Sequence, residues 1–219
     1  MESSVGTIGV LDKAVGVLTA VEAAPRTLAD LVTETGLSRA TAHRVAQALI
    51  AHGLVRRDAD GRYALGLRLV ALGRAAADEL TLAVAARPAL AGLRDRTGES
   101  VQLYVSDGAH RICVASLESP HGLRTIVPLG AALDLSLGSA GHLLTEQPEA
   151  LARGWSESIG EREAGVASVS APILDAGRVV AAVSVSGPIE RLTRNPGDRF
   201  ADAVVDAART IETAAALRP

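Results

Sequence analysis

The sequence is poor in cysteine, aromatic residues and lysine, and each scarcity removes a class of function. Cys113 is the single cysteine among 219 residues. That excludes a disulfide framework and a thiolate metal site, and fits a reducing compartment. Aromatic residues make up 2% of the chain, too few for the stacking surfaces that grip single-stranded nucleic acid. Lys13 is the only lysine. A Ser-x-x-Lys nucleophile is therefore excluded, because no serine stands three residues before it. Motifs for a nucleophile elbow, a phosphate loop, a dinucleotide fold or a His-Glu-x-x-His zinc site are also missing. The five histidines, His43, His52, His110, His121 and His142, are scattered without metal-ligand spacing. No cofactor and no metal is expected, and the chain does not read as an enzyme. No apolar run approaches the ~18 residues needed to span a bilayer. Met1–Val5 has neither the basic nor the apolar region of a signal peptide. A cytoplasmic protein without membrane contact is expected.

What is present is enough apolar residue to fold. The chain is 48% hydrophobic and 21% charged with a net charge of −3, outside the disordered range. Its first third reads as short helices. Leu11, Val15, Leu18 and Val21 recur at helical spacing, and Pro25 ends that segment. Thr27 is an N-cap with Asp30 in the following turn, and Leu28, Leu31 and Val32 form a buried face. Ser38 caps a third helix in which Val45, Ala48 and Leu49 face inward, with Gly53 just past its end. Two such helices joined by Thr35-Gly36-Leu37 make a helix-turn-helix. Leu54–Arg57 and Arg62–Leu65 flank an Asp60-Gly61 turn, the signature of a β-hairpin. Three helices and a hairpin make a winged helix.

A connecting helix is expected over Leu67–Glu79 and a longer one over Leu82–Thr97, with Pro88 awkward in its middle. The pattern then changes to strands. Ser100–Ser106 and Arg111–Leu117 flank Asp107-Gly108, and Arg124–Pro128 reads as a third strand. Gly138–Leu144 begins a helix. Val166–Leu174 and Arg178–Ser186 form a second hairpin around Asp175–Gly177, and Pro196–Leu217 is a closing helix. The expected fold class is α+β. Domain limits are placed at 1–66 for the winged helix, 67–80 for the linker helix and 81–219 for the remainder.

Residues 1–65 balance seven basic against seven acidic groups, yet five of those bases lie between Arg39 and Arg62. The only acids in that span are Asp58 and Asp60, both in the turn. A helix fits the DNA major groove and reads base edges from its N-terminal end. Arg39, Thr41, Ala42, His43 and Gln47 supply short or hydrogen-bonding side chains for that. Thr27, Ser38 and Arg44 suit phosphates, which set register without reading sequence. Arg56, Arg57 and Arg62 would lay the wing along the backbone. The plainer alternative is a solvated, charged surface.

Leu11–Ala14, Thr27–Leu31, Gly36–Arg44, Leu49, His52–Val55 and Tyr63–Gly66 together resemble the winged-helix domain of the IclR family of bacterial transcription regulators. The resemblance continues through Gly138–Gly141, Glu161, Gly165–Pro172 and Val183–Pro188, and so covers nearly the whole chain. Trp155–Glu163 and Ser186–Arg194 are most similar to the actinobacterial NdgR-type regulators of amino-acid biosynthesis. Family members carry a longer connection between Gly141 and Gly154; here either a helix has been lost or a mobile segment is absent.

The resemblance implies a GAF-like sensing domain, an antiparallel sheet flanked by helices, with an effector site at Ser139, Ala140, Ser158, Ser168, Ser184 and Ser186. The residues agree with a polar ligand. Ser168 with Ser170, and Ser184 with Ser186, lie at period-two spacing on their strands. Hydroxyls on otherwise Val/Ala strands need partners. The helix start at Ser139 and Ala140 offers N–H groups to a carboxylate, and Arg124 would pair one if it points inward. Taken singly, each serine is as well explained by a bond to backbone or solvent. The function expected is a ligand-responsive regulator of amino-acid metabolism that binds double-stranded operator DNA. Its effector would be an amino acid or 2-oxo acid. A homodimer suits a two-fold operator, and the resemblance implies a dimer of dimers paired through Leu67–Glu79. The rival reading is a small-carboxylate enzyme with a helical interaction module.

Overall fold

A computed structural model describes residues 9–79 and 81–217. The reading of Met1–Val5 and the last residue of the expected linker, Leu80, lie outside them. The described residues form two compact units, divided between Ala76 and Ala77.

The first unit contains α1 (Gly9–Ala20), α2 (Leu28–Thr35), α3 (Arg39–Ala51) and a hairpin of β1 (Val55–Arg57) and β2 (Tyr63–Leu65). Local chemistry sets the helix ends. Thr27 and Asp30 form a reciprocal capping box at α2, and Gly36, in the left-handed region at φ 68°, closes it. Ser38 accepts from the Thr41 N–H to start α3. In the wing, Asp58 Oδ1 accepts from the N–H groups of Asp60 (3.0 Å) and Arg62 (2.8 Å), which holds the turn. Val17, Leu31, Ala46, Leu49, Val55 and Tyr63 make the core.

Two helix faces differ from the periodicity reading. In α1 the inward residues are Val17 and Ala20, joined by Val21 just past its end, while Leu11 and Val15 are 57% and 59% exposed. The helix carries apolar residues on more than one face, and the stripe that packs is the one rotated toward α2 and α3. In α3 the inward residues are Ala42, Ala46 and Leu49, and Ala48 is exposed.

The helix α4 (Arg68–Glu79) crosses the boundary between the units. The second unit begins with α5 (Thr81–Thr97), which continues through Pro88. There follow β3 (Ser100–Ser106), β4 (His110–Leu117), β5 (Ala132–Asp134), α6 (Gly138–Leu144), α7 (Pro148–Arg153), β6 (Ser156–Ile159), β7 (Val166–Asp175), β8 (Arg178–Pro188), α8 (Ile189–Leu192) and α9 (Pro196–Ala214). The strands form one six-stranded sheet in the order β5-β4-β3-β8-β7-β6, antiparallel at every pairing. The expected α+β fold is therefore present, with helices flanking an antiparallel sheet.

Arg124–Pro128 is not a strand; the third strand is β5, a few residues later. The closing helix ends at Ala214, short of Leu217. Between α6 and β6 the chain is continuous. Glu146, at φ 53°, turns it into α7, and Gly154 ends that helix.

Parity along the strands sorts their side chains. Val101 and Leu103 of β3, Val169 and Ile173 of β7, and Val183 and Val185 of β8 pack with Leu90, Leu93, Val204 and Ile211 of α5 and α9. The alternate residues of the same strands turn to the opposite face, which α6 covers.

Candidate functional site

In the first unit, α3 presents its polar face to solvent. Arg39, His43 and Gln47 stand four residues apart along one stripe, with Arg44 beside them, and all are exposed. Ala42 is not part of this face. It is 0% exposed, because it belongs to the stripe with Ala46 and Leu49 that packs inward, and its methyl cannot reach a base. The hydroxyls of the other candidates are engaged within the fold. Thr27 Oγ1 donates to Asp30 Oδ2 at 2.8 Å, and Ser38 Oγ donates to Thr41 Oγ1 at 2.9 Å.

The wing arginines are not equivalent. Arg57 stacks on the Tyr63 ring, 3.6 Å from its centroid, and donates to the Gly61 carbonyl. Arg62 is bracketed by Asp58 (2.9 Å) and Asp60 (2.8 Å). The hydrogen bond to Asp58 raises its pKa further, and the same bond network holds Asp58 below the usual carboxylate range despite its desolvation. Arg56 is exposed with no ion-pair partner among the described residues. The stripe on α3 and Arg56 thus form the accessible positive surface.

In the second unit, the register builds two polar rows across the sheet. Ser158, Ser168, Ser186 and Ser100 lie side by side, as do Ser156, Ser170, Ser184 and Gln102. Ser139, from the start of α6, reaches down to them. Its Oγ lies 2.7 Å from both Ser168 Oγ and Ser170 Oγ. Ser186 donates to Gln102 Oε1 at 2.9 Å, leaving the buried Gln102 Nε2 without a partner. Ser139, Ala140, Ser158, Ser168, Ser184 and Ser186 all line one narrow cleft of about 30 Å³. Arg124 does not. It lies outside the sheet, in an ion pair with Glu118 at 2.6 Å, because the segment that carries it is an irregular surface loop.

Arg111 and Arg162 provide the cations of this cleft, together with the Tyr104 ring. Sequence alternation hides Arg111. A bulge in β4, where Leu103 pairs with Ala115 but Tyr104 with Cys113, turns Val114 toward α5 and moves Cys113 and Arg111 onto the serine face. Arg111 is only 4% exposed. It donates to the carbonyls of Asp134 (2.7 Å) and Leu137, and its Nε–H has no partner. No carboxylate pairs with it among the described residues. Burial lowers its pKa from the usual guanidinium value, but a guanidinium stays charged in proteins. Room for it depends on Gly141, where a Cβ would sit 2.5 Å from the Leu135 carbonyl and 3.0 Å from Arg111 Nη1.

At the start of α6 the N–H of Gly138, one residue before Ser139 and Ala140, is already engaged. Glu161 Oε2 accepts from Gly138 N at 2.8 Å and bonds His142 Nε2 at 3.0 Å. His142 Nδ1 in turn meets Ser156 Oγ at 2.8 Å. This chain fastens the loop after β6, and with it Arg162, over the cleft.

A winged helix joined to a unit that encloses a polar cleft is the architecture of a helix-turn-helix transcription regulator with a sensing domain. The IclR helix-turn-helix domain matches residues 10–59, and the bacterial transcriptional regulator IclR C-terminal domain matches 74–151 and 142–213. The chain belongs to the IclR family and is a DNA-binding transcription regulator. Its C-terminal match comes in two segments that overlap at residues 142–151, from the end of α6 into α7, where the connection was expected to be short. The HTH-type transcriptional regulator KipR of Bacillus subtilis is 28% identical, covering 84% of this chain and 88% of its own. The glycerol operon regulatory protein of Streptomyces griseus is 30% identical over 84% of this chain and 86% of its own. The structure of an IclR homolog from Microbacterium hydrocarbonoxydans, complexed with 4-hydroxybenzoate, superposes with a TM-score of 0.79 at 24% identity. It covers 94% of this chain and 99% of its own. No helix among the described residues is long and apolar enough to cross a membrane.

Proposed function

We propose that the protein is a cytoplasmic, effector-responsive regulator whose winged helix holds operator DNA while the cleft of its second unit binds a small carboxylate. The effector class is an amino acid or a 2-oxo acid. The regulated process is amino-acid metabolism, in the manner of the NdgR-type regulators that Trp155–Glu163 and Ser186–Arg194 resemble. The observation that carries the effector reading is Arg111, a cation removed from solvent in a serine-lined cleft with no carboxylate of its own. Desolvating a charge costs several kcal/mol unless a partner compensates it, and a bound carboxylate is such a partner.

On the DNA side, Arg39, His43, Arg44 and Gln47 form the reading face and Arg56 the wing contact. Arg57 and Arg62 support the wing, and Thr27, Ser38 and Thr41 orient the helices. Domains of 1–66, 67–80 and 81–219 remain our division. The working species is a homodimer, probed for assembly into a dimer of dimers. Leu67 and, on α4, Val70 and Leu72 are exposed at 78%, 69% and 49%, which supports pairing through this helix. Selection of bound duplexes from a randomised pool by the full-length protein tests the reading. Enrichment of a two-fold symmetric site is expected. Binding without sequence preference would overturn it.

A further inference from the structure

We infer that Arg68, the first residue of α4, is a positioning residue for operator binding: it ties α4 to the end of α3 and so fixes the half-site spacing that the protein accepts. The inference rests on the reading of a homodimer paired through α4, and adds to it the residue that joins each DNA-reading helix to that pairing helix.

Where α3 ends, the carbonyls of His52, Gly53 and Leu54 have left the helical ladder and need donors from elsewhere. All three find them in the short segment that runs from β2 into α4. The Leu54 carbonyl accepts from Gly66 N at 2.8 Å, and the Gly53 carbonyl from Arg68 N at 3.3 Å. The His52 carbonyl, at the C-cap of α3, accepts from Arg68 Nη1 at 3.1 Å. Only glycine permits so close an approach: a Cβ on Gly66 would stand 2.0 Å from the Gly53 carbonyl oxygen. Two of these bonds belong to the backbone and hold the segment in place. The third reaches from the side of α4 to the end of α3 and opposes a change in the angle between them. It also sets a positive charge at the negative end of the α3 dipole. In a dimer paired through α4, that angle decides where the two α3 helices meet the duplex. One added base pair turns a half-site by about 35° around the duplex axis. A rigid joint between α3 and α4 cannot follow that turn, and a loosened one can.

Fluorescence anisotropy of the full-length protein tests this. The duplexes are the selected two-fold site, the same site with its spacer lengthened or shortened by one base pair, and a single half-site. The wild type is expected to lose about tenfold or more in affinity when the spacer changes, and Arg68→Ala no more than about threefold. Arg68→Ala should bind the half-site as the wild type does, and Arg68→Lys, which keeps a donor and the charge, should recover part of the spacing discrimination. Arg68 is exposed, so folding is not at stake. A phosphate contact would behave differently: its loss weakens every duplex alike and lowers the slope of log affinity against log salt by about 0.9. Spacing discrimination as strict in Arg68→Ala as in the wild type overturns the inference, and a lowered slope alongside it would assign Arg68 to a phosphate. A wild-type protein indifferent to spacing, or one that holds the half-site as tightly as the full site, overturns instead the paired dimer on which the inference stands.

Discussion

The two faces of the six-stranded sheet are made by the same strands and differ in everything else. Toward α5 and α9 the residues of β3, β7 and β8 are Val, Leu, Ile and Ala; toward α6 they are mainly Ser, with Gln102 and Tyr104. Both faces are buried. Burial of the first removes apolar surface from water and stabilises the fold by roughly 25 cal/mol for each Å². Burial of the second hides hydroxyls and a cation that water would have solvated, and their mutual bonds recover only part of that loss. Period-two alternation thus lets one strand hold the domain together with one set of residues and bind a ligand with the next.

That contrast is open to direct attack. Leu103→Ala removes a fully buried side chain from the apolar face and should lower stability by about 2–5 kcal/mol. Ser184→Ala, opposite Gln102 on the other face, should change it by less than about 1 kcal/mol in either direction. Urea unfolding followed through Trp155, the only tryptophan, reports both. Equal losses would erase the distinction between the faces.

A second comparison concerns arginines that are paired and arginines that are not. Arg44→Ala should weaken binding to all duplexes and reduce the slope of log affinity against log salt by about 0.9, the loss of one phosphate contact. Arg62→Ala should leave the slope near the wild-type value, since Asp58 and Asp60 already neutralise that charge. Identical slopes for both variants and the wild type would remove Arg44 from the DNA surface.

The smallest effect concerns Cys113, fully buried on the serine side of the sheet. Burial pushes its thiol up to about 11. The unfolded chain therefore loses this proton first, and the native state loses stability as pH rises from about 9, the unfolded value, through 11. Native protein at pH 8 should resist a thiol-specific reagent, while urea-unfolded protein should react with one equivalent. Fast native labelling would place the thiol elsewhere.

Most of the winged helix is legible in the sequence because its signals are local. Thr27 with Asp30, Ser38 and the Asp60-Gly61 turn each act within four residues. The hairpin of β7 and β8 is legible for the same reason, and its serines declare their shared face by spacing alone. The misses come from interactions that spacing does not encode. The bulge at Val114 reverses the parity of β4 and so conceals Arg111. Arg124 lies in an irregular segment that never joins the sheet. The strand β6 is short and mostly Ser and Glu, without the β-branched residues that mark strands. Apolar residues around α1, and alanines on both sides of α3, leave the inward stripe to be chosen by the neighbouring helices, which is why Leu11, Val15, Ala42 and Ala48 were misplaced.

The link between the cleft and the DNA is best measured by fluorescence anisotropy of the selected duplex with full-length protein, titrated with the amino acid or 2-oxo acid that binds it most tightly. A ligand shifts DNA affinity only through its different affinity for two states of the protein. The expected result is a change in duplex affinity that saturates with the acid and vanishes in Arg111→Gln although that variant still binds the duplex. Duplex affinity indifferent to every acid, or an equal response in Arg111→Gln, would contradict a regulator governed from this cleft.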